Sequence, residues 1–495
     1  MVMNVQDRGV LPEEMRYTYS VCPVCLKRIP AKREERDGQI YLVKTCPEHG
    51  TFSSVIWRNK RKFADWRGER PAVGENENLN CPAGCGLCAE HRRATCCTLL
   101  EITARCNMNC TFCFAEPDGT QDPSLDTVKR WIDDLTEPGK TLLQLSGGEP
   151  TVRDDLPEIV AYAKQVGCKY VQLNSNGLRL AEDEAFVKRL ADAGLSFVFM
   201  QFDGVDDAVY EKLRRRPMLE VKKRAIEQCG RYGIGVTLVP VIVPGVNTEQ
   251  IGDIIRFAIQ RSPYVRGVHF QPVSYFGRIP ELPADDDYTL DELLEAVVSQ
   301  SGGLIKEEQI APSCCDHPMC GFHGDFIVMP GDKLMPLTNY SGKTEAEPEG
   351  EGCCCGPDPA EKNREFVGRR WERRDLEETC CCGESQPEKE SCCCDANADA
   401  YLLEKAQPEP GSCCCGGTQP EQESCCCEEE SVDITNMEDF LKRAKSHGFT
   451  ITSMAFQDAG NLDIERLRQC SLHVYKDGKK IPFCAYYLSP MERGR

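Results

Sequence analysis

TLLEITARCNMNCTFCF, residues 98–114, is the stretch of sequence that decides the fold. Its apolar, β-prone opening, TLLEI, predicts a buried strand, and the loop after it carries Cys106, Cys110 and Cys113 in C-x3-C-x2-C spacing. Three thiolates can hold three irons of a 4Fe-4S cube and leave the fourth iron free to bind a substrate or cofactor, whereas a cluster with four protein thiolates normally only passes electrons. The stretch therefore predicts an iron–sulfur cluster that takes part in the chemistry.

Context separates this motif from a chance spacing, which a chain with 33 cysteines produces easily. Cys81, Cys85 and Cys88 show the same spacing, but they lie in a segment with Pro and Gly, and Cys96 is placed to be a fourth ligand. The Cys106 loop instead follows a strand, as is typical of a cofactor loop at the carboxyl end of a barrel strand. We therefore predict the open iron at the Cys106 loop.

A second apolar strand, predicted at 141–146 within TLLQLSGGEP, ends in a glycine turn. The turn consists of Gly147, Gly148, Glu149 and Pro150. A three-cysteine loop and a GGEP turn, in this order on successive strands, resemble the radical S-adenosylmethionine (SAM) superfamily. In that superfamily SAM chelates the open iron, the GGEP turn lines the SAM amino group, and one electron from the cluster cleaves SAM to a 5'-deoxyadenosyl radical. The resemblance implies an enzyme whose catalytic cluster is held by the three cysteines of the loop, and whose glycines let the backbone approach SAM closely.

Composition and charge argue against several other classes of protein. With 59 basic and 79 acidic residues, the 495-residue chain has a net charge of −20, which disfavours nucleic acid or an anionic membrane as the main partner. The opening, MVMNVQDRGVLPEEMR, lacks an apolar signal core, and no run reaches the roughly 18 apolar residues of a membrane span. Clustered cysteine spacing favours metal ligation in a reducing compartment over disulfides. We therefore expect a cytoplasmic protein without a transmembrane span.

The chain is long enough for more than one domain, and its pattern divides it into five parts. They are a rubredoxin- or zinc-ribbon-like metal knuckle at 1–60, an auxiliary iron–sulfur segment at 75–97, a barrel at 98–305, a C-terminal auxiliary-cluster region at 306–340 and 431–495, and a low-complexity insertion with CCC repeats at 341–430.

The barrel is predicted from apolar strands that alternate with amphipathic helices, a pattern typical of a parallel sheet with right-handed crossovers. The predicted strands are 98–104, 141–146, 169–174, 197–203, 235–243 and 265–273. The predicted helices are 124–136, 154–166, 182–194, 219–232, 248–260 and 289–301. Six repeats match the open barrel of radical SAM enzymes, so the predicted fold class is α/β with a partial (β/α)6 barrel and its active face at the carboxyl ends of the strands.

Polar residues stand at several of these strand ends. Asn176 in NSNG, Asp203 in QFDG and Gln271 in the sixth strand are assigned to the SAM ribose or the substrate. Asn176 and Asp203 could instead cap the helices that follow them. Cys168 and Cys229 stand alone near helix-to-strand junctions and are predicted to pack in the core.

Two short knuckles near the start of the chain predict a separate metal site. They are Cys22-Pro-Val-Cys25 and Cys46-Pro-Glu-His49, with an Asp37-Gly38 turn between strand-like flanks. Two knuckles that close on one ion across a hairpin allow a segment too short for its own core to fold. The ion is zinc or a rubredoxin-like iron, and another cysteine could replace His49 as a ligand.

Two further cysteine sets suit fully ligated 4Fe-4S clusters that relay electrons. The first set is Cys81, Cys85, Cys88 and Cys96, with Cys97 as the alternative to Cys96. The second set is Cys315, Cys320, Cys470 and Cys484, with Cys314 as a substitute for Cys315, and with His317 and His473 in supporting or structural roles. Spacing alone is weak evidence for the second set, because its members are scattered along the chain.

Outside 341–430, nearly the whole chain resembles the tetraether lipid synthase and class D methylase family of radical SAM proteins. The segments that carry the resemblance are CPVC, CPEHG, CPAGCGLC, CNMNCTFCF, SGGEP, NSNG, QFDG, QPVSYFGR, CDHPMC, MAFQDAGNLDIERL and IPFCAYY. The resemblance implies a mononuclear metal at the two knuckles, a SAM-binding cluster and two auxiliary clusters at the two cysteine sets. It also implies a low-potential electron donor of the ferredoxin or flavodoxin type. The expected product is a new carbon–carbon bond, made by joining lipid alkyl chains or by methylating a small molecule such as a pterin.

Residues 341–430 depart from that family. They hold CCC triplets at 353–355, 380–382, 392–394, 413–415 and 425–427, and TCCCGESQPEKESCCC recurs as SCCCGGTQPEQESCCC at an offset of 33 residues. With 23 acidic and 9 basic residues, and few large apolar ones apart from the islands at 366–376 and 401–403, the segment is not expected to fold around a core of its own. It is either an insertion that binds Cu(I), zinc or a thiophilic metalloid, or a disordered, reducible loop. The competing functions are therefore radical SAM modification of a metalloid-containing small molecule and non-catalytic, thiol-rich metal handling.

Overall fold

The computed structural model describes residues 11–68, 81–88, 90–114, 121–278, 287–340, 359–372 and 436–491. The chain forms two compact units, one of residues 1–373 with 447–495 and the other of residues 374–446. The second unit contributes a single described helix, and all other elements belong to the first. No helix in the described ranges is long and apolar enough to cross a membrane.

A four-stranded antiparallel sheet opens the first unit, with its strands in chain order. The strands are β1 (Tyr17–Val21), β2 (Arg28–Arg36), β3 (Gln39–Cys46) and β4 (Gly50–Trp57), and the short helices α1 (Glu13–Arg16) and α2 (Phe63–Arg67) flank them. Along β3 more buried and less buried side chains alternate, because successive side chains of a strand point to opposite faces. The predicted turn between β2 and β3 is confirmed, since Asp37 and Gly38 both have positive φ, the conformation of a type I′ hairpin turn.

Six parallel strands with connecting helices form the middle of a larger sheet. The strands are β5 (Cys97–Glu101), β6 (Leu142–Ser146), β7 (Tyr170–Ser175), β8 (Phe197–Gln201), β9 (Gly235–Val239), the two-residue β10 (Val241–Ile242) beside them, and β11 (Val265–Pro272). The helices are α3 (Leu125–Leu135), α4 (Leu156–Gln165), α5 (Leu178–Glu182), α6 (Glu184–Asp192), α7 (Asp207–Arg214), α8 (Leu219–Arg231), α9 (Ile251–Ile259) and α10 (Leu290–Gln300). Each predicted strand and helix of the barrel is present within a few residues of its predicted bounds, and α5 and α7 are additional.

Strands from the C-terminal part of the chain extend this sheet, which stays open. They are β12 (Ala311–Pro312), β13 (Phe322–Met329), β14 (Lys333–Pro336), β15 (Gly448–Ser453), β16 (Leu472–Lys476) and β17 (Lys479–Pro482). β15 pairs parallel to β11, and β16 pairs parallel to β5. Both edges of the six-stranded barrel are therefore covered, and the predicted α/β fold with a partial (β/α)6 barrel is confirmed.

Part of the supposed low-complexity insertion is a packed helix, α11 (Pro359–Trp371). Its Val367 and Trp371 lie four residues apart, on one helix face, and both are buried. They pack against the first residues of three barrel strands, namely Leu142, Tyr170 and Phe197. Val367 and Trp371 belong to the apolar island at 366–376, and they pack on the barrel rather than on a core of the segment itself. The CCC triplets lie outside the described residues.

The remaining elements are short. The described helix of the second unit is α12 (Met437–Ser446), and α13 (Ile464–Leu467) and α14 (Phe483–Tyr486) follow in the first unit. Short 3-10 helices lie at Pro150–Val152, Thr248–Gln250, Glu307–Gln309 and Pro318–Cys320. Cys168 and Cys229 lie in the main hydrophobic core, as predicted.

A buried ion network joins the N-terminal sheet to the C-terminal part of the first unit. Arg33 on β2 donates to Asp463 at 2.6 Å and to Glu465 at 2.5 Å. Arg67 on α2 donates to the other oxygen of Glu465, also at 2.6 Å. All four side chains are almost fully buried, so removal of one partner would leave a charge without compensation. The network therefore holds the N-terminal sheet against residues 463–465.

Candidate active site

A cavity of about 360 Å³ lies inside the partial barrel, between the carboxyl ends of its strands and α11. Among the residues predicted for the catalytic cluster and SAM, those in its wall are Cys106, Cys110, Cys113, Gly147, Gly148, Glu149, Pro150, Asn176 and Gln271. The structure therefore brings into one cavity all of the residues predicted for this site except Asp203.

The cysteine loop is held in place from two sides. Thr111 donates from its backbone N–H at 3.1 Å and from Oγ1 at 3.0 Å to the carbonyl of Leu213 at the end of α7. Cys113 exchanges backbone hydrogen bonds of 2.9 and 3.0 Å with Arg278, in the loop after β11. Arg278 Nη1 also donates to the carbonyl of Cys110 at 2.9 Å. The loop conformation is therefore set by the end of α7 and by the loop after β11.

The charges of the loop thiols influence one another, as the pKa of Cys106 shows. Burial raises the pKa of Cys106 to about 11, and the charges of Glu149, Cys110 and Cys113 raise it further, while the backbone N–H of Met108 opposes the shift. A group of three soft thiolate donors in a partly buried loop fits an iron–sulfur cluster.

The GGEP turn packs directly on the segment that leads into the cysteine loop. Gly148 N–H donates to Thr103 O at 2.9 Å, and Glu149 N–H donates to Arg105 O at 2.8 Å. A Cβ on Gly147 would lie 2.1 Å from Thr103 O, and one on Gly148 would lie 2.2 Å from Arg105 O. The glycines are therefore required for the contact between the two loops, in addition to the approach to SAM that the sequence suggests.

Glu149 ties the end of β6 to the end of β7. Its carboxylate accepts hydrogen bonds from Thr151 Oγ1 at 2.6 Å, from Ser175 Oγ at 2.9 Å and from the backbone N–H of Asn176 at 2.7 Å. Burial raises the pKa of Glu149, and these hydrogen bonds oppose the shift. The carboxylate oxygens are thus used mainly to position the loops around the cavity.

Asn176 lies just before a helix and also faces the cavity. Its Oδ1 accepts from the backbone N–H of Leu178, the first residue of α5, at 3.0 Å, and its Nδ2 donates to Asn107 Oδ1 at 2.7 Å. The N-cap residue of α5 is Gly177, so Asn176 is not the N-cap that the alternative supposed, and its side chain connects β7 to α5 and to the cysteine loop. Gln271 lies in the cavity wall at the end of β11.

Asp203 lies behind the cavity wall and is fully buried. Its carboxylate accepts from Arg214 Nε at 2.7 Å and from Arg214 Nη2 at 2.9 Å. Arg214 in turn lies beside Cys110 and 4.8 Å from the ring centroid of Phe112. Asp203 is thus placed to hold an arginine against the cysteine loop, and direct contact with SAM or substrate is not what its position suggests.

Buried cations at the site have no signature in the sequence. Lys222 is fully buried, donates to Gln201 Oε1 at 2.9 Å and to the carbonyl of Asn176, and has a pKa lowered to about 7 by burial. Arg214 sits in a run of three arginines, and Arg278 lies beyond the last barrel strand. Nothing in the sequence context of Lys222 and Arg214 distinguishes them from surface cations, whereas Arg278, which is only half-buried, is the last residue of the QPVSYFGR segment noted above.

Inward-facing amides cross the middle of the cavity on neighbouring strands. Asn174 Oδ1 accepts from Gln144 Nε2 at 2.8 Å and from Gln172 Nε2 at 3.0 Å. The three side chains form an amide ladder, by which we mean Gln144, Gln172 and Asn174, and all three line the cavity. Around the ladder the wall is mostly apolar and includes Phe199 and Trp371. The ladder was not predicted from the sequence, although glutamine and asparagine within buried strands are an unusual combination.

The two N-terminal knuckles come together at one end of the small sheet. Cys22, Cys25, Cys46 and His49 place one ligand atom each within 4.8 Å of one another. Nδ1 of His49 lies 3.5 Å from Cys22 Sγ and 3.4 Å from Cys46 Sγ. A tetrahedral metal with the usual metal–sulfur and metal–nitrogen bond lengths separates S and N ligands by about 3.6 Å. The four side chains therefore have the spacing that a mononuclear metal requires.

The first auxiliary set is partly assembled around Cys85. The Sγ atoms of Cys81 and Cys85 are 3.4 Å apart. The pKa of the Cys85 thiol is raised by the hydrogen bond to Cys81 and by burial, and the charges of Cys88 and Cys470 raise it further. Cys470, which was predicted for the second set, is therefore a neighbour of the first.

The second auxiliary set likewise has a cysteine of the first set close to it. Burial, Asp316, Cys484 and Cys320 raise the pKa of Cys470 in that order, so Cys470 is also close to these two cysteines. Cys315 instead shares the cavity wall with Cys96, whose charge raises the pKa of Cys315 after the effects of burial and Asp316. Cys470 thus borders both sets, and Cys96 lies near the second.

Comparison with known proteins agrees with this architecture. Residues 100–258 match the model of the radical SAM superfamily, and residues 15–58 match the HMPTM N-terminal zinc ribbon domain. The chain belongs to the radical SAM superfamily, in its methylase-like family, and is a radical SAM enzyme. Such an enzyme uses a 4Fe-4S cluster and SAM and needs a reductant, as the sequence predicts.

Three proteins with similar sequences align with different fractions of the chain. The 7,8-dihydro-6-hydroxymethylpterin dimethyltransferase of Methanocaldococcus jannaschii is 32% identical over 502 residues, which cover 95% of this chain and 92% of that protein. The Fe-coproporphyrin III synthase of Methanosarcina barkeri is 30% identical over 201 residues, 40% of this chain and 48% of that protein. A probable GTP 3',8-cyclase of Methanothermobacter marburgensis is 33% identical over 177 residues, 34% of this chain and 56% of that protein. Nearly full-length similarity is therefore found with the pterin-modifying relative, whereas the other two match over less than half of this chain.

Proposed function

We propose that this radical SAM enzyme methylates an unactivated carbon of a pterin-like small molecule. The observation that carries the proposal is the amide ladder in the cavity. Gln144, Gln172 and Asn174 offer carboxamide donors and acceptors, which match the amide edge of a pterin ring, while Phe199 supplies an aromatic surface near the ladder. The nearly full-length similarity to a pterin dimethyltransferase supports the same substrate class.

A lipid alkyl chain is the less favoured substrate. An alkyl chain cannot form hydrogen bonds with buried amides, so its binding would leave polar groups in the cavity wall without new partners. The ladder therefore favours methylation of a polar ring over the joining of hydrocarbon chains.

The chain's own residues position the reaction. Cys106, Cys110 and Cys113 would hold the catalytic cluster, and the GGEP turn would line SAM beside it. When bound, the cluster supplies the electron that cleaves SAM to methionine and the radical that abstracts hydrogen, and a separate one-carbon donor supplies the methyl group, because the cleaved SAM keeps its own methyl on methionine. The buried apolar wall, with Trp371 of α11 at its far end, excludes water from this space.

We further propose a mononuclear zinc or iron at Cys22, Cys25, Cys46 and His49, because the measured S–N spacing fits a tetrahedral metal. The matched zinc ribbon model supports a metal-binding role for the same residues.

Two auxiliary 4Fe-4S clusters complete the proposed cofactors. Cys81, Cys85 and Cys88 would hold one of them, and Cys320 and Cys484 would contribute to the other, with Cys315 as a third ligand. The assignment from the sequence gives Cys96 as the fourth ligand of the first cluster and Cys470 as the fourth ligand of the second. Cys470 lies near Cys484 and Cys320 as well as near Cys85, and Cys96 lies near Cys315. These clusters would relay electrons from a low-potential donor of the ferredoxin or flavodoxin type.

The experiment follows hydrogen from the substrate. Anaerobically reconstituted protein is given dithionite, SAM and either a 6-hydroxymethylpterin deuterated at its carbon-bound hydrogens or a deuterated alkyl lipid. We expect deuterium in 5'-deoxyadenosine with the pterin. Deuterium transfer from the lipid alone would contradict the proposed substrate, and failure to form any 5'-deoxyadenosine would favour a metal-handling protein.

Two variants distinguish the loss of the catalytic cluster ligands from the general effect of removing a cysteine. The triple variant Cys106→Ala, Cys110→Ala and Cys113→Ala should form no 5'-deoxyadenosine. Cys168→Ala removes a core thiol that lies outside the cavity wall, and it should retain activity.

A further inference from the structure

Arg468 is a buried cation that lacks acceptors. It is 3% exposed, and its Nε, Nη1 and Nη2 have no hydrogen-bond partner within the described part of the chain. The nearest carboxylate is that of Glu90, at 3.9 Å from Nη1, which is too long for a hydrogen bond. Burial of a guanidinium without hydrogen-bond acceptors is strongly unfavourable. These N–H groups are therefore expected to have an acceptor in the working enzyme.

The cysteine set nearest to Arg468 identifies what that acceptor is. Arg468 Nη1 lies 3.9 Å from the carboxylate of Glu90, two residues after Cys88, and the carbonyl of Arg468 accepts a hydrogen bond of 2.8 Å from the backbone N–H of Arg92. The guanidinium therefore lies beside the segment that carries the first cysteine set, and its charge lowers the pKa of Cys81 after the effect of the hydrogen bond to Cys85. An iron–sulfur cluster at this set would present sulfide and thiolate sulfurs, which accept hydrogen bonds from buried donors.

Arg466, two residues earlier, stands in the same relation to the other set. It is partnered on one side, since Nη2 donates to Ala455 O at 2.7 Å, but its buried Nε has no hydrogen-bond partner among the described residues. Ala455, which accepts from Arg466, donates from its own backbone N–H to the carbonyl of Cys320 at 2.7 Å, so the guanidinium lies near Cys320. Burial raises the pKa of Cys320, and the charge and hydrogen bond of Arg466 oppose the shift. Arg466 acts by its charge on Cys484 in the same direction.

Comparison with Arg214 shows why these two arginines differ from a structural cation. Arg214 also lies beside a cysteine, Cys110, but its charge is compensated by a bidentate pair with Asp203. Arg466 has no ion pair among the described residues, and Arg468 has only the distant Glu90. The charge of Arg466 and Arg468 is therefore directed at the cysteine sets.

We propose that Arg468 and Arg466 are positioning residues that donate hydrogen bonds to the first and the second auxiliary cluster, respectively, and raise their reduction potentials. The proposal rests on the auxiliary clusters of the proposed function. A nearby cation and hydrogen bonds to sulfur stabilise the more negative, reduced state of a cluster, so they make reduction easier.

The test is an anaerobic redox titration of the full-length reconstituted protein, followed by electron paramagnetic resonance, with iron and sulfide content measured on the same samples. Arg468→Met should lower the potential of one auxiliary cluster, and Arg466→Met that of the other. A tenfold fall in the reduced-to-oxidised ratio at the wild-type midpoint corresponds to about 59 mV for a one-electron couple. Arg256→Met, which removes an exposed cation paired with Asp253, is the control and should shift neither potential.

The outcomes separate this inference from the proposed function. If wild type carries only the catalytic cluster, the auxiliary clusters themselves are refuted. If it carries three clusters and both methionine variants keep wild-type potentials, the arginine inference is wrong. If Arg468→Met fails to load iron, Arg468→Lys decides. Lysine keeps the charge but loses the planar donor fork, so the reduced-to-oxidised ratio at the wild-type midpoint should fall, but by less than tenfold, and a wild-type potential in the loaded Lys variant would overturn the inference.

Discussion

Replacement of Asp203 by asparagine should destabilise the barrel and weaken the catalytic cluster site. Both side chains of the Asp203–Arg214 pair are buried, and two hydrogen bonds of 2.7 and 2.9 Å connect them. Removal of one charge from such a pair costs about 3–5 kcal/mol, because the other charge stays buried without compensation. For a protein of this size, a loss of that order lowers the apparent Tm by roughly 3–5 °C, since the entropy of unfolding is about 2.1 cal/mol/K per residue. Since Arg214 lies beside Cys110, the Asp203→Asn variant should also bind less iron at the catalytic site.

Differential scanning calorimetry of the anaerobic, reconstituted protein and an iron assay on the same sample measure both effects. Asp192→Asn is the matched control, because Asp192 pairs with Lys188 at 2.8 Å on the surface, where solvent screens the charges and such a pair contributes little to stability. The double variant Asp203→Asn with Arg214→Gln removes both charges and should lose less stability than Asp203→Asn alone. If Asp203→Asn unfolds at the same temperature as Asp192→Asn and loads iron fully, the argument for a buried positioning pair is refuted.

Other parts of the structure support further predictions. Gly147→Ala should abolish 5'-deoxyadenosine formation, because the new Cβ would lie 2.1 Å from Thr103 O. Gly303→Ala is the control and should keep the activity, because Gly303 has a φ of +87° but no atom within 4 Å of a Cβ. Equal losses of activity in the two variants would contradict the importance of the close contact. His269→Gln should make stability less dependent on pH: burial lowers the pKa of His269 to about 4, so the unfolded state binds the proton first as the pH falls. Wild type should therefore lose about 1.4 kcal/mol more than the variant between pH 7.5 and pH 5.5 in urea unfolding, and parallel losses would refute the assignment. Arg33→Met should cost about 3–5 kcal/mol by leaving two buried carboxylates without their main cation, and an apparent Tm near that of wild type would show that the ion network is dispensable.

The barrel could be predicted from the sequence because its strands are buried on both faces. Such strands appear as short apolar runs, and the helices between them show a period of 3.6 residues. The pairing of β15 and β16 with the barrel edges could not be predicted, since these strands come from distant parts of the chain and no local pattern specifies a partner. The packing of α11 was missed for a related reason. Its segment is polar on average, and only Val367 and Trp371, on one face, dock against the barrel.

The candidate site was predictable where chemistry imposes a spacing. The three-cysteine loop, the GGEP turn and the two knuckles each need particular residue types at short separations, so the sequence alone indicates them. The buried cations depend on tertiary structure instead. Arg214 and Arg468 resemble surface arginines in the sequence, and only the fold buries them. Asp203 was assigned to SAM or the substrate because it stands at a strand end, and no motif identifies Arg214 as its partner. Burial, which no single stretch of sequence records, decides the roles of these residues.

The order in which the ribosome makes this protein has a consequence for its production. β15 and β16 cover the two edges of the barrel, yet both are translated long after β5 and β11. Until they emerge, a nascent chain exposes unpaired strand edges that can pair with other nascent chains. Chaperone supply and slow expression should therefore matter more for the yield of this enzyme than for a barrel whose edges are completed by neighbouring segments.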